Sequence, residues 1–113
     1  MQIKNIEPLK KKIIEYLKSD PNIVKIILFG SYISGNPNKD SDIDIVVLLN
    51  EKGINATYRQ RLDRIKRISR LLDPIRAFIA LDILVFTVDE WNYLIKKDSL
   101  FVKDIKKKGY SLL

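Results

Sequence analysis

The sequence predicts an α/β sandwich in which helices pack on a small mixed sheet, and three observations predict it. Apolar runs of strand length stand at residues 23–29, 42–49 and 79–86, each bounded by turn-forming residues. Segments with apolar residues at helical spacing precede the first run, separate the second from the third, and follow the third. The long helix between the second and third runs allows a right-handed crossover between parallel strands, whereas the first two are read as an antiparallel pair.

The first helix is expected over residues 7–18, with Glu7 and Pro8 in its opening turn and Leu9, Ile13, Ile14 and Leu17 as its apolar stripe. Lys10, Lys11, Lys12 and Lys18 fall elsewhere and read as a solvated face. A turn at Ser19-Asp20-Pro21-Asn22 leads into the first strand, which breaks at Gly30-Ser31. After a polar loop, residues 42–49 carry apolar side chains on both alternating faces, so this strand reads as buried on both sides. A loop over residues 50–55 offers Asn55 as N-cap of the next helix. That helix runs to Leu72, with Tyr58, Leu62, Ile65, Ile68, Ser69 and Leu72 at helical spacing. Arg59, Arg61, Arg64, Lys66, Arg67 and Arg70 cover much of its remaining surface, which suits either a solvated basic face or a docking surface for an acidic partner. Asp73-Pro74 closes it.

In the third strand Asp82 interrupts an otherwise apolar run. Thr87 and Glu90 then fit a capping box. Trp91, Leu94, Ile95, Leu100, Phe101 and Ile105 follow on a helical region broken near Asp98-Ser99, where core packing accounts for the aromatics. Gly109 reads as a helix stop, and Tyr110 to Leu113 as an edge strand or tail.

At 113 residues, residues 1–113 form a single expected domain, long enough to bury about two thirds of its unfolded surface without staples. Cysteine and histidine are both absent. That excludes disulfides and thiolate or imidazole metal sites, so a metal would be held by oxygen, which points to magnesium or manganese rather than zinc. With no signal-peptide pattern and no apolar run near the ~20 residues that span a bilayer, a cytoplasmic protein with no membrane partner is expected. The net charge of +7 suits an anionic partner without choosing among nucleotide, nucleic acid and acidic protein.

The acids in the strands carry the chemistry. Asp42 and Asp44 share one face about 6.6 Å apart, at ~3.3 Å rise per residue. Carboxylates in an apolar setting are costly unless a cation or hydrogen bonds compensate. Both can reach one divalent metal, although a loop-capping Asp42 and a solvated Asp44 are the alternative. Asp82 is a third acid, with a salt bridge to Lys25 as its alternative role. Such acids near a Gly-Ser corner suit attack on a nucleotide's α-phosphorus, with metals at the phosphate oxygens, backbone N–H groups on the outgoing phosphates and a carboxylate as base.

Gly30-Ser31, ten intervening residues and Asp42-Ile43-Asp44 resemble the signature of the DNA polymerase beta-type nucleotidyltransferase superfamily. Together with Leu81-Asp82-Ile83, the Thr87-to-Trp91 helix start and Lys108-Gly109-Tyr110, they make nearly the whole chain similar to the minimal nucleotidyltransferases, antitoxins partnered with HEPN-domain ribonuclease toxins. The resemblance implies a mixed sheet, Asp42 and Asp44 as the magnesium pair, Asp82 as third ligand and base, and Gly30 and Ser31 against the triphosphate. It implies two magnesium ions, with manganese as a substitute, and ATP as substrate, from which AMP passes to a tyrosine hydroxyl of the cognate HEPN toxin. The sequence departs from the family at Ile33-Ser34-Gly35, where Ala-Arg-Gly is common, so a cationic phosphate contact is missing or comes from elsewhere, such as Lys39. The rival readings are an antitoxin that acts by docking alone and an enzyme acting on a small molecule. With aromatics scattered along the sequence, no stacking platform is evident and direct nucleic-acid binding is not expected. Homo- and hetero-oligomers both remain open.

Overall fold

A computed structural model describes residues 7–29, 43–54 and 56–112. The expectations placed on Gly30, Ser31, Ser34, Lys39, Asp42 and Asn55 lie outside the described residues. In chain order the elements are α1 (Glu7–Leu17), β1 (Ile23–Phe29), β2 (Ile43–Leu49), α2 (Tyr58–Leu71), α3 (Asp73–Arg76), β3 (Leu81–Thr87), α4 (Val88–Lys96), α5 (Leu100–Lys108) and β4 (Tyr110–Ser111). The four strands form one sheet in the order β3-β2-β1-β4. β2 is antiparallel to β1 and parallel to β3, and β4 adds antiparallel to β1. This is the mixed sheet expected from the sequence.

The reason β2 lies inside the sheet is its composition. Ile43, Ile45, Val47 and Leu49 face one side, with Ile26 and Leu28 of β1, and are covered by Leu9, Ile13 and Leu17 of α1, Ile68 of α2, Leu72 and Ile75. Val46 and Leu48 face the other, with Ile27, and are covered by Trp91 of α4 and by Val102 and Ile105 of α5. Each such aliphatic side chain contributes about 1.5–3 kcal/mol on full burial. Burial on both faces leaves β2 a single position in the fold.

Several local expectations change on contact with the structure. α2 is capped by Thr57, whose hydroxyl accepts the Gln60 N–H while the Gln60 side chain accepts the Thr57 N–H, a full capping box. Tyr58, expected on the apolar stripe, is 78% exposed because it stands in the opening turn. Pro74 does not simply end α2 but starts the short α3. Ile79 belongs to the turn after α3, its N–H donating to the Ile75 carbonyl at 3.1 Å, so β3 begins only at Leu81. Gly109 does end α5, yet its φ of −75° is ordinary. Its need is for space, since a Cβ there would meet the Ile105 carbonyl oxygen and come within 2.7 Å of Ile27 Cγ2.

The basic surface of α2 is partly spent within the molecule. Arg67 Nε lies 2.9 Å from Asp20 and its Nη2 3.1 Å from Glu51, while Arg64 and Arg61 approach Glu90 at 3.7 and 3.9 Å. These arginines link α2 to the loops and to α4; Arg64 and Arg67 are partly buried, whereas Arg59, Arg61, Lys66 and Arg70 keep the exposure expected of a solvated or docking face.

Lys10 is a further correction, because it is buried rather than solvated. Its ammonium donates to Glu7 Oε1 at 2.6 Å and lies 3.7 Å from the centre of the Tyr110 ring, tying α1 to β4. Glu7 chiefly, and Tyr110 with it, raise the Lys10 pKa above its ordinary 10.5. A raised lysine contributes stability fully below its unfolded pKa and loses that contribution as pH rises through the folded value. Lys10→Met is therefore expected to lower the melting temperature at pH 7 and to remove part of the parent's stability loss above pH ~10.5, as followed by circular dichroism melts across pH.

Candidate functional site

Strand register assembles the site. Phe29 pairs with Asp44 across β1 and β2, and Asp44 pairs with Asp82 across β2 and β3. Paired residues on neighbouring strands point to the same face and lie about 4.8 Å apart between strands, so Phe29, Asp44 and Asp82 form one row at one end of the sheet. One step back along the strands the next row is Ile27, Val46 and Leu84, part of the apolar cluster under α4 and α5. The Ile43 N–H donates to the Ala80 carbonyl at 3.1 Å, fixing the start of β2 to the start of β3. The carboxylates thus stand one row beyond that apolar cluster's strand residues.

The two acids differ in setting. Asp44, on the interior strand, is half-buried, whereas Asp82 is exposed. The apolar run around Asp82 suggested a buried acid, but β3 is the edge strand and most of its side chains are only partly covered. The salt bridge to Lys25, the alternative role for Asp82, is not made. Lys25 is exposed and pairs with Leu48, four residues along β2 from Asp44 and so roughly 13 Å from the acid row. Among the described residues no group of three or more potential metal-ligating acids is formed. Asp42, Gly30 and Ser31, the other site residues expected from the sequence, lie outside the described residues. Asp44 and Asp82 supply only oxygen donors, from adjacent strands and on one face, a donor set that fits a hard divalent cation.

Sequence reasoning missed an aromatic cluster that runs from the acid row toward the far end of the strands. The Phe101 ring, in the first turn of α5, lies 6.2 Å from Phe29 and 6.3 Å from Phe86, and Phe86 lies 5.7 Å from Trp91. Phe29 is far in sequence from the other three and no local pattern joins it to them; the sheet order and the return of α5 over β1 bring them together. At the other end of the sheet, a cavity of about 350 Å³ is lined by Ile54, Arg61, Phe86, Glu90, Tyr93 and Leu94, without either acid of the row.

The exposure of Asp82 and its like-charged neighbour Asp44 set an expectation for stability. Like charges directly opposite on adjacent strands are unfavourable, so Asp82→Asn should leave the denaturation midpoint unchanged or raise it slightly. A loss of about 3–5 kcal/mol, the cost of breaking a buried ion pair, would show instead that Asp82 is a structural partner of a cation.

The Polymerase beta, Nucleotidyltransferase family matches residues 11–112. Among solved structures, a candidate nucleotidyltransferase from Sulfolobus solfataricus superposes with a TM-score of 0.58 at 25% identity, covering 97% of this chain and 80% of the other. A toxin–antitoxin solved with AMP-PNP gives a TM-score of 0.56 at 26% identity, over 92% of this chain and 72% of its own. A mutant form of the toxin–antitoxin MntA-HpeT gives 0.54 at 26% identity, over 92% and 71%. No curated protein matches the sequence.

Proposed function

The chain belongs to the polymerase beta nucleotidyltransferase family, and from that premise we propose that it transfers AMP from ATP to a tyrosine hydroxyl of a HEPN-type toxin, which it thereby silences. The observation that carries the reading is the side-by-side register of Asp44 and Asp82 at the open end of the sheet. Similarity to a toxin–antitoxin solved with AMP-PNP supports both a protein partner and an ATP-like substrate. No described helix is long and apolar enough to cross a membrane, in keeping with a cytoplasmic pair of proteins.

In this reaction the tyrosine oxygen forms a bond to the α-phosphorus, the bond from that phosphorus to the β-phosphate's bridging oxygen breaks, and pyrophosphate leaves. The hydroxyl proton goes to a carboxylate, a role assigned to Asp82. Its exposed place on the edge strand leaves it within reach of a hydroxyl carried on another protein's surface. Asp42 and Asp44, with Asp82 as third ligand, would hold magnesium or manganese, which when bound neutralises charge on the phosphate oxygens. Gly30 and Ser31 are assigned to the triphosphate, where backbone N–H groups after a strand can grip phosphate oxygens.

The test combines binding and transfer. ATP binding by calorimetry is expected with magnesium and not in chelator. With radiolabelled ATP and a HEPN-type toxin, the parent should label the toxin on tyrosine, and Asp82→Asn should lower the rate on the order of 10²–10⁴-fold, the usual worth of a positioned general base. Asp44→Asn should also abolish most transfer while the fold persists. Toxin neutralisation at full strength by both variants, without labelling, would replace catalysis with docking alone.

A further inference from the structure

The aromatic cluster that joins the acid row at Phe29 has no role in the reading so far. Phe101 packs against Phe29 on one flank and Phe86 on the other, yet it remains 40% exposed. Phe29 is the apolar member of the row that holds Asp44 and Asp82, while Phe86 lies four residues beyond Asp82 on β3. The Phe101 ring therefore sits between the acid row, at Phe29, and the middle of β3, at Phe86, and is only partly covered. Its position is fixed locally. Asp98 takes a left-handed φ of 58°, which reverses the chain after α4, and the Ser99 hydroxyl accepts the Val102 N–H at 3.5 Å to start α5. The first turn of α5 is thereby set down over β1 and β3.

We infer that Phe101, backed by Phe29, is the surface on which the nucleobase of the bound nucleotide stacks. This rests on the nucleotidyl-transfer reading above. By register Phe86 stands four residues from the acid row, roughly 13 Å, and Phe101 packs between Phe86 and Phe29, so a phosphate at the acid row and a base over Phe101 fall within the span of one nucleotide. Stacking on an aromatic face tolerates any base. Phe101 accordingly favours nucleotides over base-free phosphates and positions the α-phosphorus by holding the far end of the molecule; it touches no reacting atom.

The experiment compares two ligands on the same protein. Dissociation constants for MgATP and for magnesium tripolyphosphate, which lacks ribose and base, are measured by calorimetry for the parent, Phe101→Ala and Phe101→Trp. Phe101→Ala is expected to weaken MgATP on the order of 10-fold while leaving tripolyphosphate unchanged, and Phe101→Trp is expected to keep MgATP at parent strength. Unchanged MgATP affinity in Phe101→Ala, or an equal loss for both ligands, overturns the stacking role and leaves nucleotidyl transfer standing. Failure of the parent to bind MgATP at all overturns both. Since Trp keeps an aromatic face at this position, a loss of MgATP affinity in Phe101→Trp equal to that of the alanine variant also counts against stacking.

Discussion

Everything about the candidate site depends on how β2 is held. It is the strand with hydrogen-bonded neighbours of both orientations, β1 antiparallel and β3 parallel, and nearly all of its side chains are buried. A slip of one residue in such a strand would turn every side chain to the opposite face, moving Asp44 into the layer now filled by Ile43, Ile45 and Val47. The cost of placing a carboxylate among those side chains forbids the slip. At the far end of the strands, Thr87 closes the register. Its hydroxyl donates to the Gly53 carbonyl at 3.0 Å and accepts the Glu90 N–H at 3.0 Å, while the Gly53 N–H donates to Asp89 at 2.8 Å. The loop leaving β2 is thus tied to the helix leaving β3, and the alignment of Asp44 with Asp82 is fixed from the opposite end of the sheet.

Much of this arrangement was legible from residue patterns. The limits of β1, the two-faced burial of β2, the Thr87–Glu90 capping box and the break at Asp98-Ser99 all come from local signals, namely alternation, apolar run length and cap chemistry. Of the predicted site, the structure brings Asp44 and Asp82 together, because a parallel crossover follows from the helix between their strands. What could not be read locally was exposure. An apolar run looks the same on an edge strand as in the middle of a sheet, so Asp82 looked buried when it is open. The same blindness hid Phe101, whose helical spacing matched a core position although the ring lies at the end of the core.

Charge was the other quantity that sequence overstated. The arginines of α2 alternate with apolar residues so regularly that the helix reads as one basic face. In the molecule Arg67 bridges Asp20 and Glu51, and Arg61 and Arg64 share Glu90, acids distant in sequence that a helical wheel does not show. Glu90 at the same time completes the capping of α4. Ion pairs of partly exposed groups add little stability individually, but these join three separate segments around α2. Of the basic residues of α2, Arg64 and Arg67 are thereby drawn into the molecule, while Arg59, Arg61, Lys66 and Arg70 stay exposed.

Strand order also divides the labour proposed for the acids. An interior strand offers a carboxylate that is half-buried and held by neighbours on both sides, suited to a cation that must keep its place between turnovers. An edge strand offers a carboxylate that a large acceptor can approach without opening the fold. Asp44 and Asp82 occupy these two situations because β2 is inside the sheet and β3 is at its margin. A small, buried acceptor pocket would call for the opposite arrangement, with the proton-accepting group enclosed. On the proposed reading, the open placement of Asp82 suits an acceptor that arrives as part of a folded surface.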